Sequence, residues 1–292
     1  MDVWTVINPI LKATLYLASF GSVGSFLFSL YFKGQLSEQQ QFYCVRLSRK
    51  SALIGIIISL LLILSIAGNL GGDLISVIDL LILKLAIESK SGIGYLTAFA
   101  GFIVISLAQK KKVGTQKIAL LIGSVAVLFS FTLAGHSLLG GVLTQSLLMI
   151  HLFGIAFWLG ALLPFYWICL QSDTSNLSSL AHRFGILAIF HVGLLLIAGM
   201  TYAWVLLGDL NLIFTTSYGN VLLIKIVLVS LLLSLAALNK FKLVPLLEKN
   251  PIQGVRQFKS SVQFEIVLAL LILLTSSLMT TSLMLPLEVP NM

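Results

Sequence analysis

The sequence predicts an all-α polytopic membrane protein, a bundle of about eight transmembrane helices with a short amphipathic helix on one surface. Three observations predict it. Of 292 residues, 58% are hydrophobic and only 10% charged, with a mean hydropathy of +1.06, whereas soluble domains carry about 25% charged residues. Apolar runs of roughly 18 residues or more recur, each long enough to cross about 30 Å of hydrocarbon. Basic residues gather between alternate runs. A transmembrane barrel would read instead as ~10-residue alternating segments.

Taken in order, the expected spans are 8–31, 51–70, 92–109, 117–135, 143–169, 184–207, 218–239 and 262–285. Between the second and third lies "DLISVIDLLILKLAIESK", residues 73–90. It is apolar but short and interrupted by Asp79 and Lys84, so it is expected to lie on the surface. Residues 1–292 are read as a single integral membrane domain, with no internal repeat.

Charge fixes the orientation. One side receives the segments 32–50, 110–116, 170–183 and 240–261, with Lys33, Arg46, Arg49, Lys50, Lys110, Lys111, Lys112, Arg183, Lys240, Lys242, Lys249, Arg256 and Lys259. Lys117 lies at a helix mouth, making fourteen of the eighteen basic residues. The other side carries Asp2, Asp73, Asp79, Glu88, Asp209 and Glu288. The positive-inside rule makes the basic side cytoplasmic, so both termini are expected to face outward. Counting 73–90 as a span would move "KKK" outside.

The net charge of +8 is thus a topological signal and gives no support for a nucleic-acid partner. The lipid bilayer is the partner it implies. "MDVWTVINPILKATLY" has no basic n-region followed by a small-residue cleavage site, so its span is expected to remain as an anchor. No phosphate loop occurs and the loops are short, so no nucleotide is expected. Cys44 and Cys169 fall at the cytoplasmic face with no zinc spacing and are expected to be inert.

Ionisable groups inside spans are costly and mark function. Lys225 lies about 10 Å below the outer surface, where it either snorkels outward or serves a cavity. Glu265 sits near the inner mouth of the eighth span, where it is expected to face the cytoplasmic headgroups. His136, in "TLAGHSLLGG", marks the outer end of the fourth span. His151, in "LLMIHLFGIAFWLGALLPF", lies about 10 Å down the fifth. A short connection makes these spans antiparallel neighbours, so the two imidazoles approach one another. His191 is nearer the cytoplasmic side, and His182 falls in a cytoplasmic loop.

Met149, Met200, Met279 and Met284 lie in the outer parts of their spans. Imidazole and thioether are neutral ligands that suit copper, Cu(I) above Cu(II). The primary candidate ligands are His136 and His151. Met149, Met200, Met279, Met284 and His191 are secondary. Trp158, two turns below His151, is expected to pack beneath the site. The alternative for such residues is ordinary packing and interhelical hydrogen bonding.

The second half resembles the copper resistance protein D family of bacterial inner-membrane proteins. The resemblance rests on "AGHS", "HLFGIAFWLGALLPF", "RFGILAIFHVGLLLIAGMTYAW", "YGNVLLIKIVLVSLLLSLAALNKFKLVP" and "FEIVLALLILLTSSLMTTSLMLP". The family pattern falls on His136, His151, Trp158, Gly160, Arg183, Phe184, Gly199, Gly219, Lys225, Asn239, Pro245 and Glu265. It covers about 118–286, and the first 117 residues agree in span number and hydropathy. Further histidines of the family, in the first span and just before the fifth-span histidine, are missing here. The resemblance implies copper movement across the inner membrane, toward the cytoplasm, without enzyme activity. It also implies a separate periplasmic copper-binding partner of the copper resistance protein C type. Two alternatives stand beside it: a redox protein with b-type haem between histidines, and a docking subunit for a copper chaperone that moves nothing.

The topology is testable by single-cysteine accessibility at Ser89 and Lys111. Labelling from opposite faces is expected, and labelling of both from one face would overturn the eight-span arrangement.

Overall fold

The computed structural model describes residues 3–108, 113–209 and 211–283. Among them lie α1 (Val3–Tyr31), α2 (Glu38–Gly71), α3 (Leu80–Glu88), α4 (Lys90–Ala108), α5 (Val113–Ser130) and α6 (Gly141–Ile168). Then follow α7 (Leu177–Leu207), α8 (Leu212–Thr215), α9 (Ser217–Leu238), α10 (Val244–Lys249) and α11 (Pro251–Thr281). No strand occurs among the described residues. Among the described residues, seven helices are long and apolar enough to cross a membrane, α9 running on into α10 as one of them. The shorter apolar helix Gly114–Ser130 stands where the fourth span was expected.

The helices overshoot the spans read from hydropathy. Residues 32–50 and 240–261, expected as loops, are largely helical, and α7 begins at Leu177 inside the expected loop 170–183, so His182 lies in α7 rather than in a loop. Hydropathy marks where a helix meets hydrocarbon, not where its backbone bonding stops. Local capping sets the true ends. The Ser37 side chain accepts from the Gln40 amide while Gln40 Oε1 accepts from Ser37 N, a capping box that starts α2 thirteen residues before its expected apolar stretch. Gly72, at φ 79°, ends α2 by bonding its N–H to Gly68 O.

Residues 73–90 form a surface element, as expected, but in two pieces. A 3-10 turn spans Ile75–Ile78, and Asp79 caps α3 by accepting from Leu81 and Ile82 amides at 2.8 and 3.2 Å. Asp73 Oδ1 accepts from the Ser76 hydroxyl and amide, and these bonds hold its carboxyl below the usual carboxylate range. Ile75, Ile78, Leu80 and Leu81 are exposed, an apolar surface suited to the membrane interface.

The bundle is organised around α1, the most buried of the long helices, which packs on α2, α5, α6 and α11. α2 and α5 pack on α4, α6 packs on α7 and α11, and α9 packs on α11. The α1–α6 crossing is a backbone contact. A Cβ on Gly24 would stand 2.2 Å from Ala156 O and 2.4 Å from Gly160 Cα, and one on Gly160 would stand 2.1 Å from Gly24 Cα. Lipid tails give helices no hydrophobic reason to associate, so close approach at small residues supplies the dispersion energy. Two apolar groups grow from this crossing. One joins α1, α2, α4 and α5, and the other joins the end of α1 to α6, α7, α9 and α11. Cys44 and Cys169 are free and buried in the second.

Gly160→Ala is expected to cost on the order of 1–3 kcal/mol or more, because neither backbone can retreat without opening the core. A lowered thermal midpoint in detergent would read it. An unchanged midpoint would mean that α1 and α6 do not meet backbone to backbone.

Candidate metal site

The sequence-predicted polar residues lie in layers along the bundle. His136 sits in the 3-10 turn Gly135–Leu138 beyond α5, where the connection bends back toward α6. Its Nε2 stands 3.5 Å from Met279 O of α11, and its ring is edge-on to Tyr218 of α9 at 5.9 Å. Met279 is buried with Tyr218, Leu206 and Leu207. His136 therefore faces the α9–α11 side of the bundle.

His151 lies on α6 and faces α7. Its Nδ1 donates to Leu195 O at 3.0 Å, which leaves the Nε2 lone pair without a hydrogen-bond partner among the described residues. Gly199 makes room for the ring: a Cβ there would stand 2.9 Å from both His151 Nδ1 and Cε1. Lys225 lies on α9. Lys225 is partly buried, and its ammonium makes no hydrogen bond or ion pair among the described residues.

His191 is more deeply enclosed, at 5% exposure. It stacks on Phe157 at 3.9 Å and 11°, its Nδ1 donates to Leu187 O at 2.9 Å, and its Nε2 stands 3.4 Å from the Tyr31 hydroxyl. Both nitrogens are engaged, so a metal would have to displace a bond.

Glu265 corrects the sequence reading. It does not face the headgroups but is buried at 3% exposure. The Trp158 indole donates to its Oε2 at 3.4 Å, and the Asn239 amide donates to Oε1. Hydropathy places a residue in depth but not around the helix axis, and α11 turns this position inward. Trp158 is buried, as packing required, and also tethers α6 to α11.

The methionines divide. Met149 packs against the core around α1, and Met279 is buried next to His136. Met200 is 65% exposed. Met284 lies outside the described residues. His136 and His151 share no partner, and no group of three or more His, Cys, Asp or Glu converges among the described residues.

Sequence reasoning missed Lys12. This lysine of α1 is partly buried, with its ammonium 4.9 Å from the Tyr95 ring centre, 5.2 Å from Phe131 and 5.9 Å from Tyr16. It also stands 3.5 Å from the Tyr95 hydroxyl. Aromatic faces stabilise a desolvated cation where no carboxylate is near. Its signal was available in "ILKATLY", a lysine inside an apolar run one turn before a tyrosine.

Two family models match the chain. One, described as copper resistance protein D, covers residues 178–279. The other, described as copper resistance protein D-like, N-terminal domain, covers residues 1–145. The chain belongs to the copper resistance protein D family. No curated protein and no solved structure matches it. Family membership gives this multi-pass membrane protein a role in copper resistance. It also extends the resemblance over the N-terminal half, which agreed only in span number and hydropathy. Lys12 and His136 fall in the first matched segment, and His191, Gly199, Lys225, Asn239, Glu265 and Met279 in the second. His151, Trp158 and Gly160 lie between the two.

Gly199→Ala should push the His151 ring off Leu195 O while the fold persists. Histidine nitrogen NMR in lipid is expected to report an Nδ1–H imidazole in the parent and a shifted signal in the variant. An identical signal would place the ring elsewhere.

Proposed function

We propose that this copper resistance protein D family member is a copper permease of the bacterial inner membrane, not an enzyme, and that it imports copper from the periplasm to the cytoplasm. The observation that carries this reading is the His151 geometry. An imidazole whose Nδ1–H is held by a backbone carbonyl has its tautomer and orientation set, and its Nε2 lone pair is ready for a metal. With α6 read as a span, that lone pair lies within hydrocarbon, where a neutral donor binds Cu(I) without a buried carboxylate.

Copper enters at the outer end. A separate periplasmic copper-binding protein of the copper resistance protein C type delivers it near His136, which lies in a turn within reach of a soluble donor. His136 and His151 face different sides, so the reading is a hand-over from one to the other, with Met279 next to the first through its backbone carbonyl. Cu(I) tolerates the low coordination that such a relay requires. Lys225 then has a defined part. Its positive charge opposes a bound cation, and a carrier must release what it binds. A b-type haem fits less well, because two open imidazoles would have to face each other and His191 has both nitrogens engaged.

His151→Ala and His136→Ala are each expected to lower copper affinity at least tenfold, with Met149→Leu smaller and Met200→Leu and His182→Ala neutral. Copper stoichiometry and affinity of the purified variants read this, together with uptake into proteoliposomes. Unchanged affinity in the His136/His151 double variant would end the ligand assignment, and binding without uptake would favour a docking subunit.

Lys225→Met should bind copper more tightly and move it more slowly while accumulating normally in the membrane. Unchanged uptake would return Lys225 to snorkelling.

A further inference from the structure

Glu265 is a buried carboxyl that the copper relay does not use. No cation pairs with it: the one ion pair among the described residues joins Lys84 and Glu88 on the surface. An ionised carboxylate without a counter-charge is expensive in this environment and ordinarily marks function. Its neighbours make the position unusual. Trp158 of α6 donates to Oε2, and Asn239 donates to Oε1. Asn239 opens a π turn, Asn239–Leu243, between α9 and α10, and single π turns inside helices recur at functional sites.

The Asn239 amide is only half used. Its Oδ1 is buried with no hydrogen-bond partner, and the same holds for the hydroxyl of Ser261, one turn before Glu265 on α11. Two unpaired buried oxygens beside a carboxyl are a cost for a purely structural clamp. They have a use if the carboxyl changes state. Ionised, Glu265 accepts from Trp158 and Asn239 as observed. Protonated, it becomes a donor at one oxygen and needs an acceptor, which Asn239 supplies by turning its amide over to present Oδ1. The Trp158 bond survives in both states.

We propose that Glu265, Trp158 and Asn239 form a proton-binding site whose Glu265 carboxyl gains and loses a proton in each transport cycle, the second half of this statement resting on the permease reading. On gain, one O–H bond forms on the carboxylate with a proton taken from water. On loss that bond breaks and the proton returns to water. The site lies toward the end carrying the basic segments, since Lys240 follows Asn239 directly.

Among the described residues, no other charged group makes a hydrogen bond or ion pair with this carboxyl. Lys240 of the same turn bonds Gly185 O of α7, and Glu248 of α10 accepts from Ser178. α1 and α9, which also pack on α11, bring it no hydrogen bond or ion pair among the described residues.

Infrared spectra of the protein in lipid, recorded from mildly acid to mildly alkaline pH, test the site without copper. A protonated-carboxyl stretch that fades as pH rises is expected. It should be lost in Glu265→Gln and shifted in Asn239→Leu, which keeps the carboxyl but removes its switching partner. A stretch that is missing, or constant across the range, would overturn the proton site. Copper uptake into proteoliposomes with and without a pH gradient tests the cycle. Several-fold stimulation by the gradient in the parent, lost in Glu265→Gln, is expected, and a parent indifferent to the gradient would overturn coupling. If the parent takes up no copper at all, the permease reading fails and with it the cycling role, while the infrared result still decides whether Glu265 binds a proton.

Discussion

The Gly24–Gly160 contact is the constraint on which the bundle depends. With no side chain on either residue, α1 and α6 touch through their backbones. α1 carries α2 and α5 on one side, and α6 carries α7 on the other, with α11 packed against both. Every polar layer is positioned relative to that crossing. His151 lies on α6 about two and a half turns from Gly160, and Trp158 lies two residues before it, so the glycine sets how far each reaches toward α7 and α11. In a membrane this demands small residues rather than more apolar ones, because lipid already satisfies an exposed leucine.

Much of the fold was legible because hydrocarbon thickness imposes its own ruler. Each expected span has a helix at its position, and the surface placement of 73–90 followed from its length and its two charges. The ends were not legible from hydropathy. Ser37 and Gln40 begin α2 in a polar stretch that an apolar-window reading assigns to a loop, although the Ser-x-x-Gln spacing was there to be read. Azimuth was likewise not readable: Glu265 faces inward and Met200 outward. Lys12 was overlooked for a different reason: its partners Tyr95 and Phe131 are remote in sequence and meet it only through packing.

The candidate site uses neutral chemistry at the positions where a charge would be most costly. Imidazoles held by backbone carbonyls, a thioether, an indole and an amide occupy the interior. The partly or fully buried ionisable groups, Lys12, Lys225 and Glu265, sit apart from one another without ion pairs among the described residues. Aromatic faces accommodate Lys12, and hydrogen bonds from two neutral donors accommodate Glu265. Such groups keep the capacity to respond to an arriving ion, a capacity that an ion pair would have spent.

The π turn after α9 has a consequence for chain length. Such a turn accommodates one more residue than an α-helical turn does, which rotates everything beyond it by about 100° relative to a continuous α-helix. Lys225 and Pro245 belong to one unbroken rod, yet they are out of phase by that angle. Removing a single residue from Asn239–Leu243 would let the rod relax into regular α-helix with α9 and α10 keeping their faces, at the loss of the turn that presents the Asn239 amide to Glu265; straightening the turn without removing a residue would instead swing the α10 side chains off α7. In most transmembrane helices the identity of a residue matters more than the count. Here the count itself is information, and an alignment gap of one position in this turn would signal a different internal geometry rather than a trimmed loop.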